Sequence, residues 1–140
     1  MPEESTTPDL VELSRDVLDA ASRHDLDAAL SFYAHDAVWD LSAVGLGTVE
    51  GVAAIRTFVE DWWGTWADYL LEVEETVDLG HGVVFSTARE DGRLVASDRH
   101  VEQRVAFIFL WAQGVVERQT VHLDIDEARA AAERLAEERG

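Results

Sequence analysis

Leu10, Leu13, Val17, Ala20 and Ala21 recur at intervals of three and four, the stripe of a helix with one buried face. Thr7, Pro8 and Asp9 stand ahead of it. A hydroxyl can cap the first free amides, proline suits the first turn and an acid complements the dipole, so a helix is expected from there to about Arg23. His24-Asp25 interrupts the pattern, and Asp25 is placed to cap a second, short helix with Leu26, Ala29, Leu30 and Tyr33 on its apolar face. Ala37 to Leu41 reads as a short strand, and Ser42 to Glu50, with Gly45 and Gly47, as a loop. From Gly51 helical spacing returns, with Ile55, Phe58, Val59, Trp62 and Trp66 on one side.

The second half changes period. Tyr69 to Leu79 alternates, with Leu71, Val73 and Val77 in one phase, the pattern of a half-buried strand. His81-Gly82 turns the chain, Val83 to Arg89 is a further strand, and Asp91-Gly92 carries a hairpin-turn signal. Val101 to Trp111 and Val115 to Leu123 are the longest strands, joined across Ala112-Gln113-Gly114. Asp124, with Glu127 three residues on, opens a closing helix rich in alanine, glutamate and arginine. Helices grouped ahead of consecutive strands describe an α+β domain, a curved antiparallel sheet with its helices on one side. Residues 1–7 read as a flexible tail and 8–140 as one domain.

The run Val105-Ala106-Phe107-Ile108-Phe109-Leu110-Trp111 does not alternate. An antiparallel strand apolar on both faces must be covered on both. The domain's helices supply one cover, and a partner subunit is the economical second, so a homodimer through the outer sheet face is expected.

Composition narrows the partners. Twenty-nine acidic residues against eleven basic ones, all arginine, leave a net charge of −18. Such a surface repels phosphate backbones and anionic lipid heads, so neither nucleic acid nor membrane is expected as a partner. The absence of cysteine excludes disulfides, thiol nucleophiles and cysteine-ligated metals. Five scattered histidines give no metal-ligand spacing, and Gly45, Gly47 and Gly51 surround a loop rather than a phosphate cradle, so no metal and no cofactor are expected. The polar, acidic start and the lack of any run of eighteen apolar residues point to the cytoplasm.

Three stretches carry a family pattern: Asp25-Leu26-Asp27-Ala28, then Phe32-Tyr33-Ala34-His35-Asp36-Ala37-Val38-Trp39-Asp40, then Gly51-Val52-Ala53-Ala54-Ile55-Arg56-Thr57-Phe58. With Gly114-Val115-Val116-Glu117-Arg118 and Val121-His122-Leu123-Asp124 near the end, the chain resembles the SnoaL-like branch of the nuclear transport factor 2 superfamily over residues 8–137. The resemblance implies a cone: a bent sheet wrapped around three N-terminal helices, with a pocket between them and a short C-terminal helix. Its members range from ketosteroid isomerase and polyketide cyclases to binding modules with no chemistry, so function has to be argued from the pocket. Carried over residue by residue, the isomerase hydroxyl donor falls on Val17, the general base on Leu41 and the protonated acid on Phe107, all apolar here. The cyclase acid falls near Thr120 or Val121. Neither chemistry is supported.

The same alignment, with a period of two, sends Arg118, Thr120 and His122 inward on the last strand and Glu117, Gln119, Val121 and Leu123 outward. Gln103, Val105, Phe107 and Phe109 share the inward face, and Tyr33, Trp39, Phe58, Trp62, Phe85, Thr87 and Arg89 complete an aromatic lining. His122 is a candidate acid or base, or a strand residue bonded to the helical layer. Arg118 either recognises an anionic or carbonyl group or pairs with an internal acid such as Asp40. Asp40 formally points outward, and a one-residue bulge would turn it in. Trp62 and Trp66 are core residues one turn apart, Trp62 the nearer to a ligand, while His24 and His35 are surface residues.

The expected function is therefore a pocket for a small hydrophobic ligand. Two readings stay open: a cofactor-free isomerase, dehydratase, cyclase or hydrolase using Asp40, Arg118 and His122, or a non-catalytic dimeric binding or interaction module. An open cavity with two ionisable groups in hydrogen-bond reach favours the first, and a cavity filled by Trp39, Phe58, Phe107 and Phe109 the second.

Overall fold

The computed structural model describes residues 9–140. The chain runs α1 (Leu10–Ser22), α2 (Leu26–Leu30), β1 (Tyr33–Asp40), a 3-10 turn (Ser42–Val44), β2 (Thr48–Glu50), α3 (Val52–Gly64), β3 (Leu70–Gly80), β4 (Val83–Arg93), β5 (His100–Ala112), β6 (Val115–His122) and α4 (Ile125–Arg139). Asp9 caps α1, its carboxylate accepting from the Val11 and Glu12 amides. The expected cap, Thr7, lies outside the described residues, as does the 1–7 tail. Asp25 caps α2 and Asp124 caps α4, each through the amide three residues on.

Six strands form one curved, unclosed sheet in the order β2-β1-β6-β5-β4-β3. The expected antiparallel sheet is mixed, because β1 runs parallel to β6. The chain can make that pairing because β1 and β6 are separated by the whole of α3 and β3 to β5, the long crossover a parallel pair requires.

Three local expectations are corrected. Tyr33 belongs to β1, not to α2, which closes after five residues where the Ser31 hydroxyl bonds the Ala28 carbonyl. The Ser42–Glu50 loop contains the short strand β2, held to β1 by Leu41 N to Gly47 O and Gly51 N to Ala37 O, both 2.7 Å. Asp91-Gly92 is not a turn: β4 continues through both, opposite Glu102 and Val101.

Two cores lie on opposite faces of the sheet. The inner one gathers Val17, Leu18, Leu30, Ile55, Val59 and Trp66 from the helical side against Val84, Ala88, Val105, Phe107, Phe109, Trp111 and Val116 from the strands. Trp111 Nε1 donates to the buried Ser14 hydroxyl at 2.9 Å, which ties β5 to α1 and explains a serine on a buried helix face. The outer core packs Ala128, Ala132 and Ala136 of α4 onto Val83, Phe85, Ala106 and Ile108. Alanines four apart make a smooth helix face that approaches the sheet closely. The second cover of β5 is thus the chain's own α4, and the strand's two apolar faces give no ground for a partner subunit.

Candidate functional site

Between the helices and the inner sheet face lies a cavity of about 300 Å³. Its walls are apolar and aromatic: Tyr33, Trp39, Phe58, Trp62, Trp63 and Tyr69, with Phe107 on the floor and Val17, Leu41, Val105 and Val121 between them. Leu46 and Leu123, each more than half exposed, reach solvent at its edge. Trp39 meets Phe58 edge-on with centroids 6.0 Å apart, and Trp62 meets Trp66 in the same manner at 5.6 Å. These rings brace one another and leave the space between them open.

Seven of the residues expected in the lining line the cavity: Tyr33, now from β1, with Trp39, Phe58, Trp62, Gln103, Val105 and Phe107. Phe109 has the expected inward phase but lies fully buried behind the cavity, 6.3 Å from Phe107 and 6.5 Å from Trp111. Phe85, Thr87 and Arg89 belong to the other face. Phe85 opposes Ile108 and Thr87 opposes Ala106 in the outer core, and Arg89 bonds Glu72 and Glu102 at the surface. In β4 the residues of both phases from Val83 to Ala88 are buried, so alternation carried no information about which faced in.

Arg118, Thr120 and His122 are outward as well. They oppose Leu110, Ile108 and Ala106, whereas Gln119, Val121 and Leu123 line the cavity. The cause is a bulge. Trp111 pairs with Val116 but Leu110 pairs with Arg118, so Glu117 is an extra residue and every side chain beyond it changes face. Val116 itself points inward into the helical core.

Asp40 follows Thr120 in register and shares its outer face, while Trp39, opposite Gln119, turns inward. Asp40 and Arg118 form an ion pair at 2.7 Å on the outside of the sheet. Ser42 donates to the same carboxylate from its hydroxyl at 2.5 Å and its amide at 3.0 Å. Those Ser42 bonds, with Arg118 beside them and burial opposing, hold the Asp40 carboxyl below the usual carboxylate range. His122 joins neither group. Its Nδ1 lies 3.8 Å from Glu127 of α4 without a hydrogen bond. The three expected catalytic residues therefore do not converge, and none of them lines the cavity.

What the cavity holds instead is Glu90. Its side chain is buried, its Oε2 accepts from the Tyr69 hydroxyl at 2.5 Å and its Oε1 from Gln103 Nε2 at 2.8 Å. Burial, with the Glu90 charge beside it, pushes the Tyr69 hydroxyl up, so it remains a donor across the neutral range. A second polar pair, the Tyr33 hydroxyl on Gln119 Oε1, sits against Trp39, whose buried Nε1 lacks a hydrogen-bond partner. Burial also raises the Tyr33 hydroxyl. Glu90 becomes visible only with the β4–β5 register, which sets it opposite Gln103. Reading Asp91-Gly92 as a turn hid that pairing.

Trp63 lines the cavity and stacks on the exposed His24, centroids 4.8 Å apart. Among the described residues no three His, Asp or Glu side chains gather as a metal site, and no helix is long and apolar enough to cross a membrane.

The family model of the SnoaL-like domain matches residues 14–119. None of the curated proteins matches the chain. Several solved structures share the fold. One is a nuclear transport factor 2-like protein of unknown function from Burkholderia pseudomallei, at 21% identity over 83% of this chain and 91% of that one, with a TM-score of 0.71. Another is TerC co-crystallised with polyporic acid, at 16% identity over 88% and 97%, TM-score 0.71. A third is a Catenulispora acidiphila protein with a ketosteroid isomerase-like fold, in complex with trimethylamine, at 14% identity over 91% and 94%, TM-score 0.71. The positions that the isomerase resemblance singles out, Val17, Leu41 and Phe107, all reach the cavity wall, and all are apolar.

Proposed function

The chain belongs to the SnoaL-like domain family, and on that premise we propose that it is a small-molecule-pocket protein whose ligand is a hydrophobic, ring-bearing compound. The observation that carries this reading is the cavity itself, about 300 Å³ of open space with aromatic walls and a few convergent polar groups. That is the make-up of sites that bury most of a small ligand. Two fold relatives hold small molecules, polyporic acid in one and trimethylamine in the other.

A catalytic reading rests on one further observation: Tyr69, Glu90 and Gln103 form a hydrogen-bonded set on the cavity wall. A carboxylate held by neutral donors can take up and return a proton, and the Tyr69 hydroxyl can serve a developing negative charge. Isomerisation, dehydration, cyclisation or hydrolysis by cofactor-free acid–base chemistry is the class that such a set serves. Glu90 then takes the role that the sequence suggested for His122 or Asp40.

A thermal-shift screen of hydrophobic ketones, epoxides, amines and carboxylates tests the pocket. At a hundredfold excess over Kd, a ligand of the native state alone adds about 2.7 kcal/mol of stability. For a chain of this size that is several degrees in Tm. Ring-bearing neutral or cationic compounds are expected to give such shifts. A flat response across the panel sinks the pocket reading.

Arg118→Ala and His122→Ala are expected to leave the affinity of any hit within about twofold, because both side chains lie on the far side of the sheet. The Arg118 pair with Asp40 is part-buried, but Ser42 still holds the carboxylate without it, so Arg118→Ala is expected to cost only about 1 kcal/mol and to unfold near the wild-type urea midpoint. Loss of binding in a folded Arg118→Ala protein would move the site to the outer face.

A further inference from the structure

Resting on the pocket reading above, the cavity's own chemistry specifies the sign of its ligand. Glu90 is 6% exposed, yet both of its hydrogen bonds come from neutral donors. A carboxylate offers about four acceptor sites, and two are in use here. Taking such a charge out of water costs several kcal/mol unless an opposite charge accompanies it. Among the described residues that line the cavity there is no arginine and no histidine, so none of them supplies that charge there. His24 is exposed, stacks on Trp63 and lies 5.9 Å from Tyr69 between centroids, outside the cavity lining.

The rings around this carboxylate point the same way. Tyr69 bonds Glu90 and packs 5.3 Å from Trp66, and Trp62 packs against the same indole while lining the cavity beside Trp63. Aromatic faces carry negative potential and attract cations, more strongly where water is excluded. The surface field of a chain with net charge −18 also concentrates cations at the mouth.

We propose that the cavity selects a cationic amine carried on a hydrophobic body, its ammonium seated on Glu90 among Trp62, Trp63 and Tyr69 and its apolar part against Trp39, Phe58 and Phe107. This reverses the expectation drawn from Arg118. An anion would meet a carboxylate and ring faces, and no positive group.

The test compares two molecules of the same shape. N,N-Dimethylbenzylamine is protonated at pH 7, and isobutylbenzene is its neutral carbon counterpart. Titration calorimetry of the wild-type chain is expected to show the amine binding at least about tenfold more tightly. In Glu90→Gln, which keeps an acceptor for Tyr69, that preference is expected to fall several-fold, leaving only the share owed to the ring faces and the surface field. Equal affinities in the wild-type chain overturn the amine proposal and leave the pocket reading intact. Binding of neither compound overturns both. A preference that persists undiminished in folded Glu90→Gln places the cation elsewhere and overturns the assignment to Glu90. The wild-type comparison decides the matter even where the variant folds poorly.

Discussion

Phe85→Ala is expected to lower the unfolding free energy by about 3–5 kcal/mol and yet leave the cavity's affinity for a ligand unchanged. The ring is fully buried beneath α4, against Ala106, Ile108 and the alanine face of that helix, on the side of the sheet away from the cavity. Arg129 sits 4.6 Å over it and bonds Glu75 at 2.8 Å, so truncation also removes a cation–π contact and loosens the hold of α4. Small helix residues pack so closely there that the void has little prospect of collapsing. Urea unfolding measures the first effect. Titration with N,N-dimethylbenzylamine measures the second, with Phe85→Leu as a milder companion where the alanine variant retains too little native protein. Phe107→Ala supplies the contrast, since that ring forms the cavity floor and its loss should change affinity directly. A folded Phe85 variant with a small stability loss and a large affinity loss would put Phe85 in the cavity and invert the assigned phase of β4.

Gly92→Ala is expected to cost about 2–3 kcal/mol and to weaken ligand binding with it. A Cβ at this position would stand 2.0 Å from the Asp68 carbonyl oxygen and 2.8 Å from Cε3 of Trp66. Backbone cannot give way as the end of a flexible side chain can, so the segment between α3 and β3 has to move. That segment is anchored on the end of β4 by Ala67 N to Arg93 O at 2.6 Å and on the residues just beyond it by Val95 N to Thr65 O at 2.9 Å. It leads directly into Tyr69, two residues before Leu71 on the cavity wall and bonded to Glu90. Displacement there breaks the hydrogen bond that holds the carboxylate in place. The check is a paired measurement of urea midpoint and amine affinity. An unchanged midpoint would mean that the segment absorbs a methyl group without strain.

The two substitutions separate what local pattern can say from what it cannot. Helical stripes in α1 and α3 and the caps at Asp25 and Asp124 were readable because each depends on residues three or four apart. The inward phase of β5, with Gln103, Val105, Phe107 and Phe109 on one face, was readable from the family resemblance and held along the whole strand. The phase of β6 was not. One extra residue at Glu117 exchanges its faces, and no local property of Glu117 or Arg118 announces a bulge.

Composition, periodicity and capping by themselves determined an acidic α+β domain and the identity of most of its elements, while the lining by Tyr33, Trp39, Phe58, Trp62, Gln103 and Phe107 was an expectation that the family resemblance supplied. The elements follow from interactions within a turn or along a single strand. Only the tertiary structure decided that α4 covers the outer face, that Asp40, Arg118 and His122 stand outside, and that Glu90 is the charge within. Each of these depends on which strands pair and in which register, and register is a property of the assembled sheet: a shift of one residue moves every later side chain across it.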